Sequence, residues 1–306
     1  MFNQLTLNNI LTSISLDNSR AIRYVVAYSG GMDSTALLYA LSQIGDGIPI
    51  IAIHINHQIN KDSDTWEQHC RKNALCYGVN FDSFKIDLNY NSGKGLEATL
   101  RESRYKIFQD FRREGDWLLT AHHQGDQTET LMLNLFRGSG VSGLSAINTL
   151  RKFYSGNLVR PLLEINRKYL KEYALKNDLS WLDDPSNYDN DFDRNNLRNK
   201  IIPQLEDRWP SLDKRLAKVA KFSFEAKLSI EELAKIDLEN TGNIDCYNIE
   251  LLRDLPKTRQ RNLIRYSLNK MNLPSPPFNQ LMEITKIITK YSNDSYPLIS
   301  WKGAQI

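Results

Sequence analysis

Short apolar runs alternate with longer stretches of helical spacing over the first half of the chain. The apolar runs are typical of buried strands and cover residues 23–28, 49–55, 80–86 and 117–121. Apolar positions three or four residues apart, which are typical of amphipathic helices, cover residues 34–44, 63–77, 96–111 and 127–136. This alternation predicts an α/β fold with a doubly wound, mainly parallel sheet covered by helices on both faces.

The pattern changes near residue 212, after which helical spacing dominates. Helices are predicted over residues 214–240, 257–272 and 278–290. We therefore predict one domain over residues 1–212 and a second, smaller, mostly helical domain over residues 213–306. A strand-like run begins at residue 296 and the sequence stops at Ile306, so a natural end and a shortened second domain both fit this pattern.

Composition narrows the class of protein. The 306 residues are 41% hydrophobic and 25% charged, which is ordinary for a globular chain. No apolar run approaches the ~20 residues of a membrane span, and the first residues lack a basic segment followed by an apolar one. Cys70, Cys76 and Cys246 fit neither a disulfide framework nor a Cys-x-x-Cys site. These features favour a cytoplasmic protein without a membrane partner.

A glycine turn follows the first apolar run and opens the first predicted helix. It reads Ser-Gly-Gly-Met-Asp-Ser-Thr over residues 29–35. Adjacent glycines let the backbone approach a ligand, and unpaired N–H groups at a helix start attract phosphate. The turn lacks the lysine of a Walker A loop and the spacing of a dinucleotide-binding loop. The sequence therefore favours a different polyphosphate loop over the alternative, a plain turn with Asp33 or Ser34 as helix cap.

Two more polar clusters follow predicted strands, at residues 54–57 and 122–129. Since the carboxyl ends of parallel strands meet at one edge of a sheet, we expect them near the glycine turn. Asp126 and Glu129 are three residues apart and share a helix face, either as a capping box or as a receptor for a cationic amine. The adjacent His122 and His123 point to opposite faces, which argues against a zinc site.

Basic residues supply the remaining candidates. Arg101 and Arg104 lie on one face of the 96–111 helix with Glu97, as a surface ion pair or as donors to an anion. A glycine-rich loop follows Arg137, and residues 194–221 hold eight Lys or Arg against three acidic residues in a chain of net charge +3. A solvated helix face and an RNA-binding surface both explain this run.

These clusters, in this order, resemble the bacterial tRNA(Ile)-lysidine synthetases, a family of PP-loop ATP pyrophosphatases. The matching segments are residues 29–34, 54–57, 97–105, 122–130, 137–144, 160–163, 183–187 and 194–198. The resemblance covers residues 20 to 210 and is vaguer beyond them. It implies an adenine nucleotide alpha hydrolase-like fold.

The resemblance also implies an activity, that of an ATP-dependent ligase. ATP would adenylate the C2 oxygen of the wobble cytidine in the CAU anticodon of tRNA(Ile), with release of pyrophosphate. The amine of free L-lysine would then attack C2 and release AMP, leaving lysidine. ATP and Mg²⁺ would be the cofactors, and the tRNA and L-lysine the partners; a homodimer is left open.

Site residues are implied group by group. The ATP phosphates would be held by Ser29, Gly30, Gly31, Asp33, Ser34 and Thr35, with Asp33 also holding Mg²⁺, and the nucleoside would lie near His54 and Asn56. Arg101 or Arg104 would stabilise the transferring adenylyl group, with Arg104 favoured. Asp126 and Glu129 would bind lysine and take part in catalysis with Asp33. The tRNA would be contacted by Arg137, Arg194, Asn195 and Arg198.

Two other functions stay open at this point. A PP-loop tRNA thiolase would need paired cysteines, and the spacing of Cys70 and Cys76 does not offer them. A non-catalytic ATP- and RNA-binding module would keep the same loop and the same basic run without chemistry.

Overall fold

The computed structural model describes residues 1–16, 18–86, 96–290 and 298–306, without the side chains of residues 96–98 and 290. The side chain of Glu97 and the first residues of the strand-like run at 296 therefore lie outside the described residues. The chain divides into two compact units, Met1–Lys221 and Phe222–Ile306. The dividing point lies within a helix that begins at Leu212, and the boundary predicted after residue 212 stays a prediction.

A six-stranded sheet forms the centre of the first unit. Its strands are β1 (Arg23–Ala27), β2 (Ile50–Asn56), β3 (Asn80–Lys85), β4 (Asp116–Leu119), β5 (Leu150–Phe153) and β6 (Gly156–Val159). They lie in the order β3-β2-β1-β4-β6-β5, and every neighbouring pair is parallel except β5 with β6. The predicted mainly parallel α/β fold is confirmed, whereas the β5–β6 hairpin was not predicted.

Helices follow the strands of this unit. They are α1 (Gln4–Leu16), α2 (Met32–Ser42), α3 (Ser63–Cys76), α4 (Leu96–Phe111), α5 (Gln124–Phe136), α6 (Val141–Leu144), α7 (Arg167–Lys176), α8 (Asp193–Asn196), α9 (Ile202–Arg208) and the start of α10 (Leu212–Thr241). A 3₁₀ turn, Pro185–Tyr188, precedes α8, and a π turn, Leu197–Ile201, joins α8 to α9. The structure adds α1, α6, α7, α8 and α9 to the predicted helices of this unit.

Successive side chains of β1 pack into two separate hydrophobic cores, one on each face of the sheet. Tyr24 and Val26 pack into one core with Leu37 of α2, whereas Val25 packs into the other with Phe108 of α4. Because side chains alternate along a strand, a sheet buried on both faces needs such an unbroken apolar run. Since β1 is parallel to both β2 and β4, the loops that follow these three strands lie at one edge of the sheet.

The second unit is mostly helical, as predicted. It contains the rest of α10, α11 (Ile249–Asp254), α12 (Lys257–Lys270), α13 (Phe278–Lys290) and the short strands β7 (Gly242–Asn243), β8 (Cys246–Tyr247), β9 (Ser300–Trp301) and β10 (Ala304–Gln305). Leu263, Leu281 and Ile284 are buried in its core. The buried Asp237 accepts a hydrogen bond from Arg259 Nε at 3.1 Å. Among the helices in the described part of the chain, none has the length and apolar content of a membrane span.

Candidate active site

The loop between β1 and α2 can be built only with glycine at its centre. Gly30 has φ +82°, and a Cβ there would lie 2.6 Å from Cys70 Sγ. The Gly30 carbonyl accepts a hydrogen bond from Leu182 N at 2.9 Å, which fixes the left-handed turn. Gly31 then caps α2 without a side-chain hydrogen bond. The first N–H groups of α2 are therefore available to an anion over the loop.

The hydroxyl groups of the loop hold its shape. Ser29 Oγ and Ser34 Oγ are 3.0 Å apart, and Ser34 Oγ also donates to the Gly31 carbonyl at 3.0 Å. Thr35 is fully buried, and its Oγ1 donates to the Gly30 carbonyl at 3.3 Å. The structure thus turns Thr35 into the protein and leaves Ser29 nearer the surface.

His54 and Asn56, at the end of β2, have buried side chains. His54 Nδ1 is 3.0 Å from the Tyr28 carbonyl. Asn56 Nδ2 donates to Asp64 Oδ1 at 3.0 Å and to Glu67 Oε2 at 3.1 Å. His54 thus contacts the residue that precedes the loop, whereas Asn56 is bonded to two carboxylates of α3.

Asp33, in the first turn of α2, connects the loop to α5. Its carboxylate accepts hydrogen bonds from Arg167 Nε at 3.2 and 3.3 Å. His123 Nε2 lies 3.7 Å from Asp33 Oδ2 and 3.6 Å from Asp126 Oδ2. Asp33 at the loop and Asp126 of α5 therefore face the same imidazole. Arg167 was not identified from the sequence, and the helix that it begins was not predicted either.

Four charged side chains form a paired cluster next to His123. The cluster consists of Asp126, Glu129, Arg194 and Arg198. Arg194 Nε donates to Glu129 Oε2 at 2.7 Å, and Arg198 Nε donates to Glu129 Oε1 at 2.6 Å. Both arginines also reach Asp126 Oδ1, at 3.3 and 3.4 Å. The two carboxylates predicted for lysine are therefore paired with two of the four residues predicted for tRNA, Arg194 and Arg198.

The position of Asp126 explains how its charge is held. Asp126 Oδ2 accepts a hydrogen bond from His123 N at 2.9 Å, which caps α5. Burial opposes ionisation, but His123, His122 and Arg194 together lower the pKa of Asp126 to about 2. Asp126 thus remains ionised and serves both as a helix cap and as a member of the paired cluster.

The two arginines predicted for adenylation lie in different surroundings. Burial, together with the nearby charge of Arg104, lowers the pKa of His57, which follows β2, to about 4. Arg101 lies over the Tyr105 ring at 5.1 Å and acts on His122 and Arg160. Arg104 therefore lies near His57 at the end of β2, while Arg101 faces another space.

That space is an open pocket of about 810 Å³, called here the arginine pocket. Its lining includes Arg101, Arg137, Arg151, Arg160, Arg194, His122 and Phe192. Arg151 and Arg160 were not predicted as site residues, although Arg160 begins the matching segment at residues 160–163. Asn195 lies elsewhere, since its Nδ2 donates to the carbonyls of Ser186 and Asp189 at 2.9 and 2.7 Å.

Two family models match this chain. The PP-loop domain matches residues 4–205, and the TilS substrate binding domain matches residues 248–306. A tRNA(Ile)-lysidine synthase from Methylococcus capsulatus is 38% identical over 298 residues, which cover 94% of this chain and 68% of that protein. The chain belongs to the tRNA(Ile)-lysidine synthase family. The loop at residues 29–35 lies within the segment that matches the PP-loop domain.

Other members of the tRNA(Ile)-lysidine synthase family give the same extent of similarity. The synthase from Coxiella burnetii is 38% identical over 285 residues, 92% of this chain and 64% of that protein. The chain thus spans about two thirds of the length of these curated relatives. The fold is also that of a U34-tRNA thiolase from Methanococcus maripaludis, with a TM-score of 0.61 at 20% identity over 72% of this chain and 77% of the thiolase.

Proposed function

We propose that this chain ligates L-lysine to C2 of the wobble cytidine in the CAU anticodon of tRNA(Ile), as an ATP-dependent ligase. One observation carries the proposal: Asp33 and Asp126 both lie within 4 Å of His123 Nε2. The loop that would hold the ATP phosphates and the carboxylates that would attract an amine therefore belong to one site. The names of the curated relatives support this activity over the thiolase alternative.

The first step transfers an adenylyl group. The cytidine O2 attacks the α-phosphorus of ATP, the bond to the β-phosphate oxygen breaks, and pyrophosphate leaves. The N–H groups at the start of α2 stabilise charge on the phosphates, since they are fixed before the reaction begins. Arg104, near His57 at the end of β2, is the candidate for the transferring group.

Asp33 fits a role in holding Mg²⁺, which usually takes one or two carboxylates together with substrate phosphates. Its carboxylate is at the loop, a quarter exposed, and paired with a half-exposed Arg167 that can move aside. Bound there, Mg²⁺ would neutralise phosphate charge. Ser29, Gly30, Gly31 and Ser34 would complete the phosphate site, and Thr35 would support it from inside.

The second step joins lysine to the base. The lysine amine attacks C2 of the adenylated cytidine, the C2–O bond breaks, AMP leaves with the oxygen, and the amine loses its protons to solvent. We propose that Asp126 and Glu129 attract a charged group of lysine. Since Arg194 and Arg198 already balance both carboxylates, lysine must share them or displace a guanidinium group.

The proposal assigns residues 1–212 to catalysis and residues 213–306 to tRNA binding. The match of residues 248–306 to a substrate binding domain supports the second assignment. Arg137 supports a tRNA surface near α5, because two thirds of its side chain is exposed and its contact with Asp193 is long, at 3.9 Å. Work on a tRNA would take place in the cytoplasm.

A labelling experiment tests this function. The protein is incubated with ATP, radiolabelled lysine and a transcript of tRNA(Ile) with a CAU anticodon, and the methionine tRNA with the same anticodon is the control. We expect label in the isoleucine tRNA alone. Absence of label together with absence of RNA-dependent AMP release would support the binding-module alternative, and sulfur incorporation would support the thiolase.

The Asp33→Asn variant connects this activity to the loop. We expect AMP formation to fall by about a hundredfold or more, as for loss of a group that stabilises transition-state charge. Asp62→Asn is a matched control, because Asp62 is an exposed carboxylate that precedes α3 without a side-chain capping bond. Equal activity of the two variants would remove Asp33 from the mechanism.

A further inference from the structure

The arginine pocket contains a buried guanidinium group that lacks a full set of partners. Arg160 is 5% exposed. Its Nη1 donates to the Asn148 carbonyl at 2.6 Å, and the nearby Tyr105 side chain favours its charged form. Its Nε is buried and has no hydrogen-bond partner among the described residues. A buried donor left in this way costs about 1–3 kcal/mol, so its position in the pocket wall needs an explanation.

Two exposed arginines face the same space. Arg101 and Arg151 lie over the Tyr105 ring, with the guanidinium carbons 5.1 and 5.9 Å from its centre. In the described part of the chain, no carboxylate lies within 4 Å of the nitrogens of Arg101, Arg151 or Arg160. The aspartates that line the pocket, Asp191 and Asp193, are exposed. Positive charge is therefore concentrated at Tyr105.

The pocket is separate from the phosphate loop. His123 faces Asp33 and Asp126, whereas the neighbouring His122 lines the pocket. Arg194 also lines the pocket while its guanidinium group binds the carboxylates of α5. The paired cluster therefore lies between the loop and the pocket, so phosphates bound to the loop do not explain Arg160.

An exposed aromatic side chain lies at the same pocket. Phe192 is 45% exposed, directly before α8. Proteins that bind single-stranded RNA combine arginines that contact phosphates with aromatic rings on which bases stack. The pocket has both features, and the paired cluster next to it is where the reacting base would be modified.

We propose that the arginine pocket binds a backbone phosphate of the RNA next to the nucleotide that is modified, through Arg101, Arg151 and Arg160. This inference rests on the proposed function, because it takes the RNA substrate from it. Phe192 supplies a stacking surface for a neighbouring base. The phosphate anchors the strand, and the base that follows extends toward the carboxylates of α5.

The test compares Arg151→Gln with Lys152→Gln. Both residues are exposed neighbours on β5, but only Arg151 lines the pocket. Each substitution removes one positive charge from the same strand, and the two differ in whether that charge faces the pocket. Binding of fluorescently labelled tRNA(Ile) transcript is measured by anisotropy between 50 and 200 mM salt, without ATP or lysine. We expect Arg151→Gln to bind about 3- to 10-fold more weakly and its salt slope to fall by about 0.7. Lys152→Gln should bind like the parent protein.

A second arm locates the phosphate. A tRNA with one uncharged methylphosphonate linkage, placed on either side of the wobble cytidine, is bound to the parent protein and to Arg151→Gln. If the arginine contacts that phosphate, the two changes are not additive and the effect of Arg151→Gln disappears in the neutral RNA. Arg160→Met serves as the buried variant, with its fold checked by circular dichroism.

The outcomes separate this proposal from the proposed function. Binding is measured without the reaction, so a protein that makes no lysidine still gives a readable result. Parent-like RNA binding by Arg151→Gln would overturn the proposal that the pocket binds an RNA phosphate. The proposed function, lysidine formation, would not be affected by that result. A raised KM for ATP with unchanged RNA affinity would also overturn it, because the phosphate would then belong to the nucleotide.

Discussion

The paired cluster and the arginine pocket are neighbours that differ in how their arginines are balanced. The arginines of the paired cluster bind carboxylates, whereas the buried arginine of the pocket has no acidic partner among the described residues. In the paired cluster, Arg194 and Arg198 are each about 70% buried and both bind Glu129 at 2.6–2.7 Å. In the pocket, Arg160 is more deeply buried and lacks an acidic partner among the described residues. Arg194 belongs to both groups. The first group is complete within the protein, and the second is complete only with an anion.

This difference predicts which charged residues stabilise the fold and which serve binding alone. Loss of one member of a buried ion pair leaves its partner uncompensated and costs about 3–5 kcal/mol. Loss of a buried charge that has no partner removes a desolvation penalty instead. Substitutions in the two groups should therefore affect folding in different ways, even where both weaken activity.

The largest expected effect is that of Glu129→Gln. Glu129 is 2% exposed, and its loss leaves Arg194 and Arg198 with Asp126 as their shared carboxylate. We expect the free energy of unfolding to fall by about 3 kcal/mol, measured with urea. In the fraction that stays folded, the KM for lysine should rise more than the KM for ATP.

Glu172→Gln is the control for this change, since Glu172 is an exposed carboxylate on α7. It should alter neither the unfolding free energy nor the KM values. An equal rise of both KM values in Glu129→Gln would show that Glu129 only supports the fold, and a parent-like unfolding free energy would contradict the pairing itself.

A smaller effect on folding is expected for Arg160→Met. Methionine keeps much of the volume and removes the charge, so the lost bond to Asn148, about 1 kcal/mol, is offset by the lost desolvation penalty. The free energy of unfolding should change by less than about 1 kcal/mol, while RNA affinity falls. Destabilisation as large as that of Glu129→Gln would mean that Arg160 has its partner within the protein, and the comparison would fail.

Periodicity predicted the parts of the fold that depend on neighbours in sequence. The buried runs at β1, β2 and β4 predicted parallel strands, and the strand ends placed the glycine turn, His54 and Asp126 at one edge. The β5–β6 hairpin was not predicted, because its strands have four residues each and β5 exposes Arg151 and Lys152. Such short strands with polar side chains carry no clear period.

The candidate site was predicted residue by residue but not in its pairing. Arg194 follows Glu129 by 65 residues, and a single sequence contains no signal for a contact between them. The same holds for Arg167 with Asp33, which are 134 residues apart. Thr35 was grouped with the loop hydroxyls because it follows Ser34, yet one further residue along a helix turns the side chain by about 100° and, here, into the core.

The smallest expected effect concerns the titration of two histidines. Burial, with Arg160 and Arg194 nearby, lowers the pKa of His122 to about 4, and burial with Arg104 lowers the pKa of His57 to about 4. The unfolded chain takes up these protons near pH 6.5, so the free energy of unfolding should fall as the pH drops from about 6.5 towards 4. His122→Gln and His57→Gln should each make this fall in unfolding free energy less steep. The same two variants assign the NMR signals of His122 and His57, because each removes one of them.

If an RNA phosphate binds in the arginine pocket, it should change the pKa of His122 but not that of His57. The two histidines therefore test the difference between the pocket and the rest of the site. Negative charge beside His122 favours its protonated form, so tRNA(Ile) at saturation should raise the pKa of His122. His57 faces Arg104 instead and is not part of the pocket lining, so its pKa should stay near 4. NMR titration with and without RNA measures both. Equal shifts at the two histidines would point to a general effect of RNA charge, and no shift at His122 would leave the buried charge of Arg160 unbalanced in the complex as well.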